Sequence, residues 1–298
     1  MIKYEWRTDL SPDESAELSD LLVRAADYDA EPEYTRIDFG DVNDAMSQPD
    51  SSVHHLVIWM LPHATAMGEP EQPERIAGLV RLESASDGSA TASAVIDPRL
   101  RSIGIMTLLL ERIGLDTARP GGWLDTGAHT VTAWAQGAHP AAGRLSNRFL
   151  IPHTRRVWKL IRSTDAVEGA TAAPVLEPLD DAVQADLGWL PALRGNGRNY
   201  ALREGGRIVG VVTLDLRAAS SEEFGRCASI TSAFAAPSAD VPQLGRLVDG
   251  AAALAHEAEM SGVIIHVDSD NTEMVNACRL ASFQHDRTDV RYQIGDHT

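Results

Sequence analysis

The apolar pattern of this chain runs through one succession twice, and that repetition restricts its fold more than any single residue does. In the first half, Ile2 to Trp6 alternates as a strand does. Ser11-Pro12-Asp13-Glu14 then opens a helix. Ser11 can cap the free N–H groups, Pro12 suits the first turn, and Glu14 completes a capping box. Leu18, Leu21, Leu22 and Ala25 recur at helical spacing and predict its buried stripe. Asp27 to Glu33 is an acidic loop. Strands are predicted at Leu56–Leu61, Ile76–Leu82 and Ala90–Ile96, with Pro62 to Glu74 as a surface loop. A turn at Asp97 to Arg101 leads into a helix through about Leu115. A strand near Thr130–Ala135, a short helix from Pro140 to about Phe149, and the alternating segment Arg155–Ile161 close the half.

The second half repeats the order with little residue identity. A helix is expected near Leu179–Leu193. A hairpin joins Asn199–Arg203 to Arg207–Leu216 around Glu204-Gly205-Gly206, whose glycines accept positive φ. Then come a strand at Ala228–Ala235, a helix at Val241–Met260, a strand at Val263–Val267, a helix at Asn271–Ala281 and a strand at Asp289–Ile294. Ser163 to Pro174 is polar and without period. This predicts a domain at 1–163, a linker at 164–174 and a domain at 175–298. The class is α/β (α+β), each half a mixed, mostly antiparallel sheet flanked by helices.

The net charge is −17, which disfavours phosphate backbones and anionic lipid and slightly favours a cationic or amine substrate. An anionic cofactor would then need a local set of donors. Two cysteines exclude a disulfide framework and argue against a Cys-based zinc site. His54, His55 and His139 have no partners at metal-ligand spacing, and His256-Glu257 lacks a histidine four residues on. No metal is expected. The N-terminus lacks a signal-peptide core, and no apolar run approaches a membrane span. The expectation is a cytosolic protein without nucleic-acid or membrane partners, and a monomer rather than an oligomer.

The segment that carries chemistry is Val95-Ile96-Asp97-Pro98-Arg99-Leu100-Arg101-Ser102-Ile103-Gly104-Ile105-Met106-Thr107. A strand ends at Pro98 and a helix begins near Gly104. The first N–H groups of a helix have no internal partner and the dipole there is positive. A glycine lets a diphosphate approach that backbone, and Arg101 can add charge. The segment resembles the acyl-CoA loop of the GNAT superfamily, Gln/Arg-x-x-Gly-x-Gly/Ala, matched at Arg101 and Gly104, with Met106 where a small residue is expected. The resemblance implies two tandem GNAT-type domains, with acetyl-CoA as co-substrate. It also implies that Val95-Ile96 splays from the neighbouring strand and polarises the thioester.

Trp134-Ala135-Gln136-Gly137-Ala138-His139-Pro140-Ala141-Ala142 resembles the Trp-Ala-x-Gly-x-x-Pro-Ala-Ala stretch of mycothiol synthases. Val267-Asp268-Ser269-Asp270-Asn271, followed by Phe283, resembles their second-domain strand and helix. That likeness implies acetyl transfer to the cysteinyl amine of a glucosaminyl-inositol thiol. It places cofactor contacts at Val95, Ile96 and Arg101 to Thr107 in the first half, and at Phe234, Ala235, Gly245, Arg246 and Asn271 in the second. The family's leaving-group acid falls at Cys278 and its base near Ser229. The second-half loop, Phe234 to Arg246, has lost the arginine-glycine spacing, and Pro242 removes one donor. Cys278 reads more readily as buried packing, and Cys227, at a strand start, as inert. Trp134 and Trp158 read as core anchors. Asp27, Asp29, Glu31 and Glu33 read as solvated rather than as the wall of a cationic-substrate pocket. Three functions remain open: a mycothiol synthase, another amine N-acetyltransferase using the first-half site, and a non-catalytic acyl-CoA-binding protein.

Overall fold

The computed structural model describes residues 1–298 apart from 32, 49–51, 62–73, 166–172, 194–195, 222 and 296–298. The surface loop predicted from Pro62 lies, through residue 73, outside the described residues, as does most of the predicted linker. Along the chain come β1 (Ile2–Arg7), α1 (Pro12–Tyr28), α2 (Phe39–Ser47), β2 (Val53–Met60), β3 (Arg75–Ser84), β4 (Ser89–Ile96), α3 (Ile105–Ile113), β5 (Thr130–Ala135) and α4 (Pro140–Phe149). They are followed by β6 (His153–Ser163), β7 (Glu177–Pro178), α5 (Asp181–Asp186), β8 (Arg198–Glu204), β9 (Arg207–Ser221), β10 (Gly225–Ala235), α6 (Val241–Glu257), β11 (Gly262–Asp268), α7 (Thr272–Leu280) and β12 (Gln284–Gly295).

The chain divides into two compact units, Met1–Arg155 with Asp289–Thr298, and Arg156–Thr288. The first holds a sheet ordered β1-β2-β3-β4-β5-β12, antiparallel except between β4 and β5. The second holds β6-β11-β10-β9-β8-β7, antiparallel except between β10 and β11. Boundaries at 163 and 175 would have left β6 closing the first half and β12 the second. Instead β6 pairs with β11 over Val157–Ser163, and Val290–Gly295 of β12 pairs with β5. Each terminal strand completes the other unit's sheet. Strand pairing is a non-local property that a residue pattern within one half does not encode.

In the first unit, α1 is built as its sequence predicts. Ser11 caps, Glu14 completes the box, and Leu18, Leu21, Leu22 and Ala25 are buried. They pack with Val57, Trp59, Leu79 and Val95 on one face of the sheet, while Ile105 and Leu109 of α3 pack with Leu56, Ile58 and Val80 on the other. In the second unit, α6 and α7 cover one face, with Leu247, Val248, Ala251 and Cys278 at the centre. The predicted hairpin turn forms, with Gly205 and Gly206 both at positive φ. Two elements differ from expectation. The helix predicted over 179–193 is only α5, because Gly188 and Pro191 follow it at once and cannot extend it. And α2, with Asp38 as its cap, was not anticipated in the stretch after the acidic loop.

Candidate active site

Strands β4 and β5 are paired only from Ser89↔Thr130 to Ala92↔Ala133. Beyond that row β4 stays on β3 through Ile96, and β5 stays on β12 through Ala135, so the two strands part. Gly78 of β3 makes room for the parting strand, since a Cβ there would lie 2.5 Å from both the Ile96 side chain and the Val95 carbonyl. The gap opens into a cleft of about 700 Å³ within the first unit. Val95 and Ile96 form one wall, and Trp134, Ala135 and Gln136 the other. The splay expected from the resemblance is present.

The segment after β4 turns through a short 3-10 helix, Pro98–Leu100, whose N-terminus is capped by Asp97. Asp97 is buried and bonded by Arg24 at 2.6 Å. Burial pushes its carboxyl upward, but the Arg24 guanidinium and the Arg99 N–H outweigh it and hold it below the ordinary range. Ser102 and Gly104 then adopt positive φ, 66° and 86°, and Gly104 is the N-cap of α3. A Cβ on Gly104 would meet nothing within 4 Å, so the helix start is open.

Every other described α-helix starts with a side-chain acceptor: Ser11, Asp38, His139, Asp180, Asp240 or Asn271. Gly104 supplies none. The first-turn N–H groups of Ile105, Met106 and Thr107 therefore face the cleft without an intrahelical or capping partner. This is what an anion needs at a helix N-terminus. Met106 packs against the Leu109 cluster rather than filling that opening alone.

Arg101 does something the sequence did not indicate. Its guanidinium donates to Asp29 at 2.6 and 2.7 Å, and its Nε to the Ile96 carbonyl at 3.1 Å. It also lies over the Tyr28 ring. Asp29, expected to be solvated, is 5% exposed at the end of α1. Bidentate pairing with Arg101 explains why a carboxylate sits there. The pair ties the loop to α1.

His139 and Tyr34 complete this mouth of the cleft, with ring centroids 4.2 Å apart. His139 Nδ1 accepts from the Ala141 N–H at 3.1 Å, so the neutral ring carries its proton on Nε2. Burial, then the nearby Arg101, push its pKa down. From sequence, His139 reads as packing rather than as a metal ligand. A histidine immediately before Pro140 at a helix start was the signal that it could cap.

The second unit is arranged differently. Strands β10 and β11 part after Ile230↔Ile265, so Phe234 and Ala235 pair only with β9. But α6 is closed by its own carboxylate: Asp240 accepts from the Gln243 N–H at 2.9 Å, and Gln243 returns a bond to the Asp240 N–H. Gly245 is buried against Ala277 and Leu280 of α7, and Arg246 pairs with Glu204. Asn271 caps α7. Ser229 lies mid-strand on β10. Cys278 is fully buried in the α6–α7 core, and desolvation pushes its thiol up to about 12. The structure does not bring these residues together around an open helix start. Among the described residues no group of three His, Cys, Asp or Glu could hold a metal ion, and no helix is long and apolar enough to cross a membrane.

No family model matches the chain. It is 26% identical to a mycothiol acetyltransferase of Sanguibacter keddieii, over 72% of this chain and 78% of the relative. A mycothiol acetyltransferase of Saccharomonospora viridis is 24% identical over 99% of this chain and all of the relative. Among solved structures, a tandem GNAT protein from the clavulanic acid biosynthesis pathway superposes over the whole of both chains with a TM-score of 0.55 at 15% identity. A GCN5-related N-acetyltransferase from Sphaerobacter thermophilus gives 0.56 at 12% identity, over 99% of this chain and 98% of that one. The chain has the tandem GNAT fold and resembles the mycothiol acetyltransferases.

Proposed function

We propose that the protein is an acetyl-CoA-dependent amine N-acetyltransferase whose working site is the first-unit cleft. The observation that carries this is the coincidence of two openings. The gap between β4 and β5 and the uncapped start of α3 face the same cavity. The N–H groups of Ile105 to Thr107 would hold the diphosphate, and the free edge of β4 would receive the pantetheine arm. The amine nitrogen, once deprotonated, forms a bond to the thioester carbon while the carbon–sulfur bond breaks. The proton leaving the ammonium balances the one taken up by the thiolate. Backbone N–H groups on the edge of β4 left unpaired by β5 beyond Ala92 would stabilise the oxyanion.

The mycothiol-type reading names the first acceptor to test, the cysteinyl amine of a glucosaminyl-inositol thiol. The closed start of α6 argues that acetyl-CoA would be used in the first unit whichever acceptor is right. The experiment is acetyl-CoA turnover followed by release of free thiol across a panel of amines including that one, with a blank without amine. Both cysteines are buried, so the native protein adds little background to a thiol reagent. For a thiol-bearing acceptor, the acetylated product is followed directly. Thiol release that requires an amine supports the reading. Binding of acetyl-CoA without turnover on any amine leaves a binding protein instead.

A further inference from the structure

Beyond the edge of β4 that would take the pantetheine arm, the cleft continues into a space lined by apolar side chains. On β4 the alternate residues Ala90, Ala92 and Ala94 share one face, and on β5 Val131 and Ala133 face with them. The β4 residues pass from exposed at Ala94, through half-buried at Ala92, to buried at Ala90. The cavity therefore runs back from the splay, past the row where the strands rejoin, beneath α3. Leu109, Ile113 and Trp123 wall its inner end. Leu109 and Trp123 are themselves buried, so the space they line is interior rather than surface. Ala92, Ala94 and Ala133 at the floor leave it unfilled, where larger residues would have packed to ordinary interior density. From the Ala94 row to the Ala92 row is two residues, about 7 Å of strand, and Ala90 packs with Trp123 and Val131 behind it.

We infer that this alanine-floored chamber accepts an acyl chain several carbons longer than acetyl, so that the donor class includes medium-chain acyl-CoA. The inference rests on the proposed acyl-CoA site. Chain carbons in the chamber would replace water against Leu109, Trp123 and Val131, with no polar group to satisfy.

The test is calorimetric titration of the intact protein with free CoA and with acetyl-, butanoyl-, hexanoyl- and octanoyl-CoA, repeated on Ala133→Leu and Ala92→Leu. Burial of each added methylene tightens binding about threefold to fourfold. Hexanoyl-CoA should then bind at least tenfold tighter than acetyl-CoA. Either leucine should lower the octanoyl-to-acetyl affinity ratio by a similar factor, with thermal unfolding confirming a folded variant. Binding of CoA with affinity flat or falling beyond acetyl overturns the chamber while leaving the cofactor site. Failure of CoA itself to bind overturns the site, and the chamber reading with it.

Discussion

Replacing Gly104 by aspartate would give α3 what α6 already has, a carboxylate on its first turn. At an effective dielectric of ~20 and a separation of ~6 Å, that charge repels the nearest bound phosphate charge by about 3 kcal/mol. If the new side chain also takes one first-turn N–H, a charge-assisted hydrogen bond of ~1.5–3 kcal/mol is lost to the ligand. Acetyl-CoA binding should therefore weaken by about 3–6 kcal/mol, two to four orders of magnitude. The fold should survive. Left-handed backbone at a non-glycine residue costs ~1–2 kcal/mol, part of which the helix dipole returns. Gly104→Ala carries the same backbone strain without the charge and should lose far less affinity. Asp240→Ala in α6 should cost ~0.5–2 kcal/mol of stability through the lost cap and leave acetyl-CoA affinity unchanged. Calorimetric titration of the three variants, with thermal unfolding alongside, decides it. A folded Gly104→Asp that binds like the parent, or loss of binding in Asp240→Ala, would refute the placement of the diphosphate on α3.

Other residues make separate predictions. His55 is buried on β2, and burial, then Arg81 and His54, depress its pKa from 6.5 to about 4. Between those values the unfolded chain binds a proton that the folded chain does not, so stability falls as pH drops from 6.5 toward 4, by about 3 kcal/mol in full. Unfolding midpoints across that range should show the slope, and His55→Leu should flatten it. Asp29→Asn leaves the Arg101 guanidinium partly buried without its counter-charge. Urea unfolding should register a loss of ~1–3 kcal/mol, discounted for the fifth of Arg101 that reaches solvent. A variant as stable as the parent would show that the pair does not anchor the loop. Cys227 and Cys278 are both buried, with desolvation raising each pKa. Neither should react with a thiol reagent until denaturant is added, and fast labelling of the native protein would contradict their placement.

Much of this was legible locally. The capping box of α1, the hairpin at Gly205-Gly206 and the glycine start of α3 are written in adjacent residues, and each formed. The loop before α3 was readable because a helix start needs only the few residues before it. What escaped was set by distant partners. Asp29 reads as one of four loop acids, and only Arg101, 72 residues away, selects it for burial. His139 reads as a lone histidine until Ala141 and Tyr34 are placed around it. The closed start of α6 lay nearer the surface of the text. Asp240 followed three residues later by Gln243 is a capping pattern, and it explains the broken second loop better than Pro242 alone.

The exchange of terminal strands makes the two halves inseparable at the level of the gene. Asp289 accepts from the Gly137 N–H at 2.8 Å, fixing the turn from β5 into α4, and Tyr292, Gln293 and Ile294 help line the cleft. Residues near position 290 thus finish the cleft that residues near position 30 begin. A ribosome that has released only the first half has made a sheet lacking one edge of β5. Removal of the chain from Asp289 onward would therefore strip the first-unit cleft of part of its lining while leaving β6 paired with β11 in the second unit.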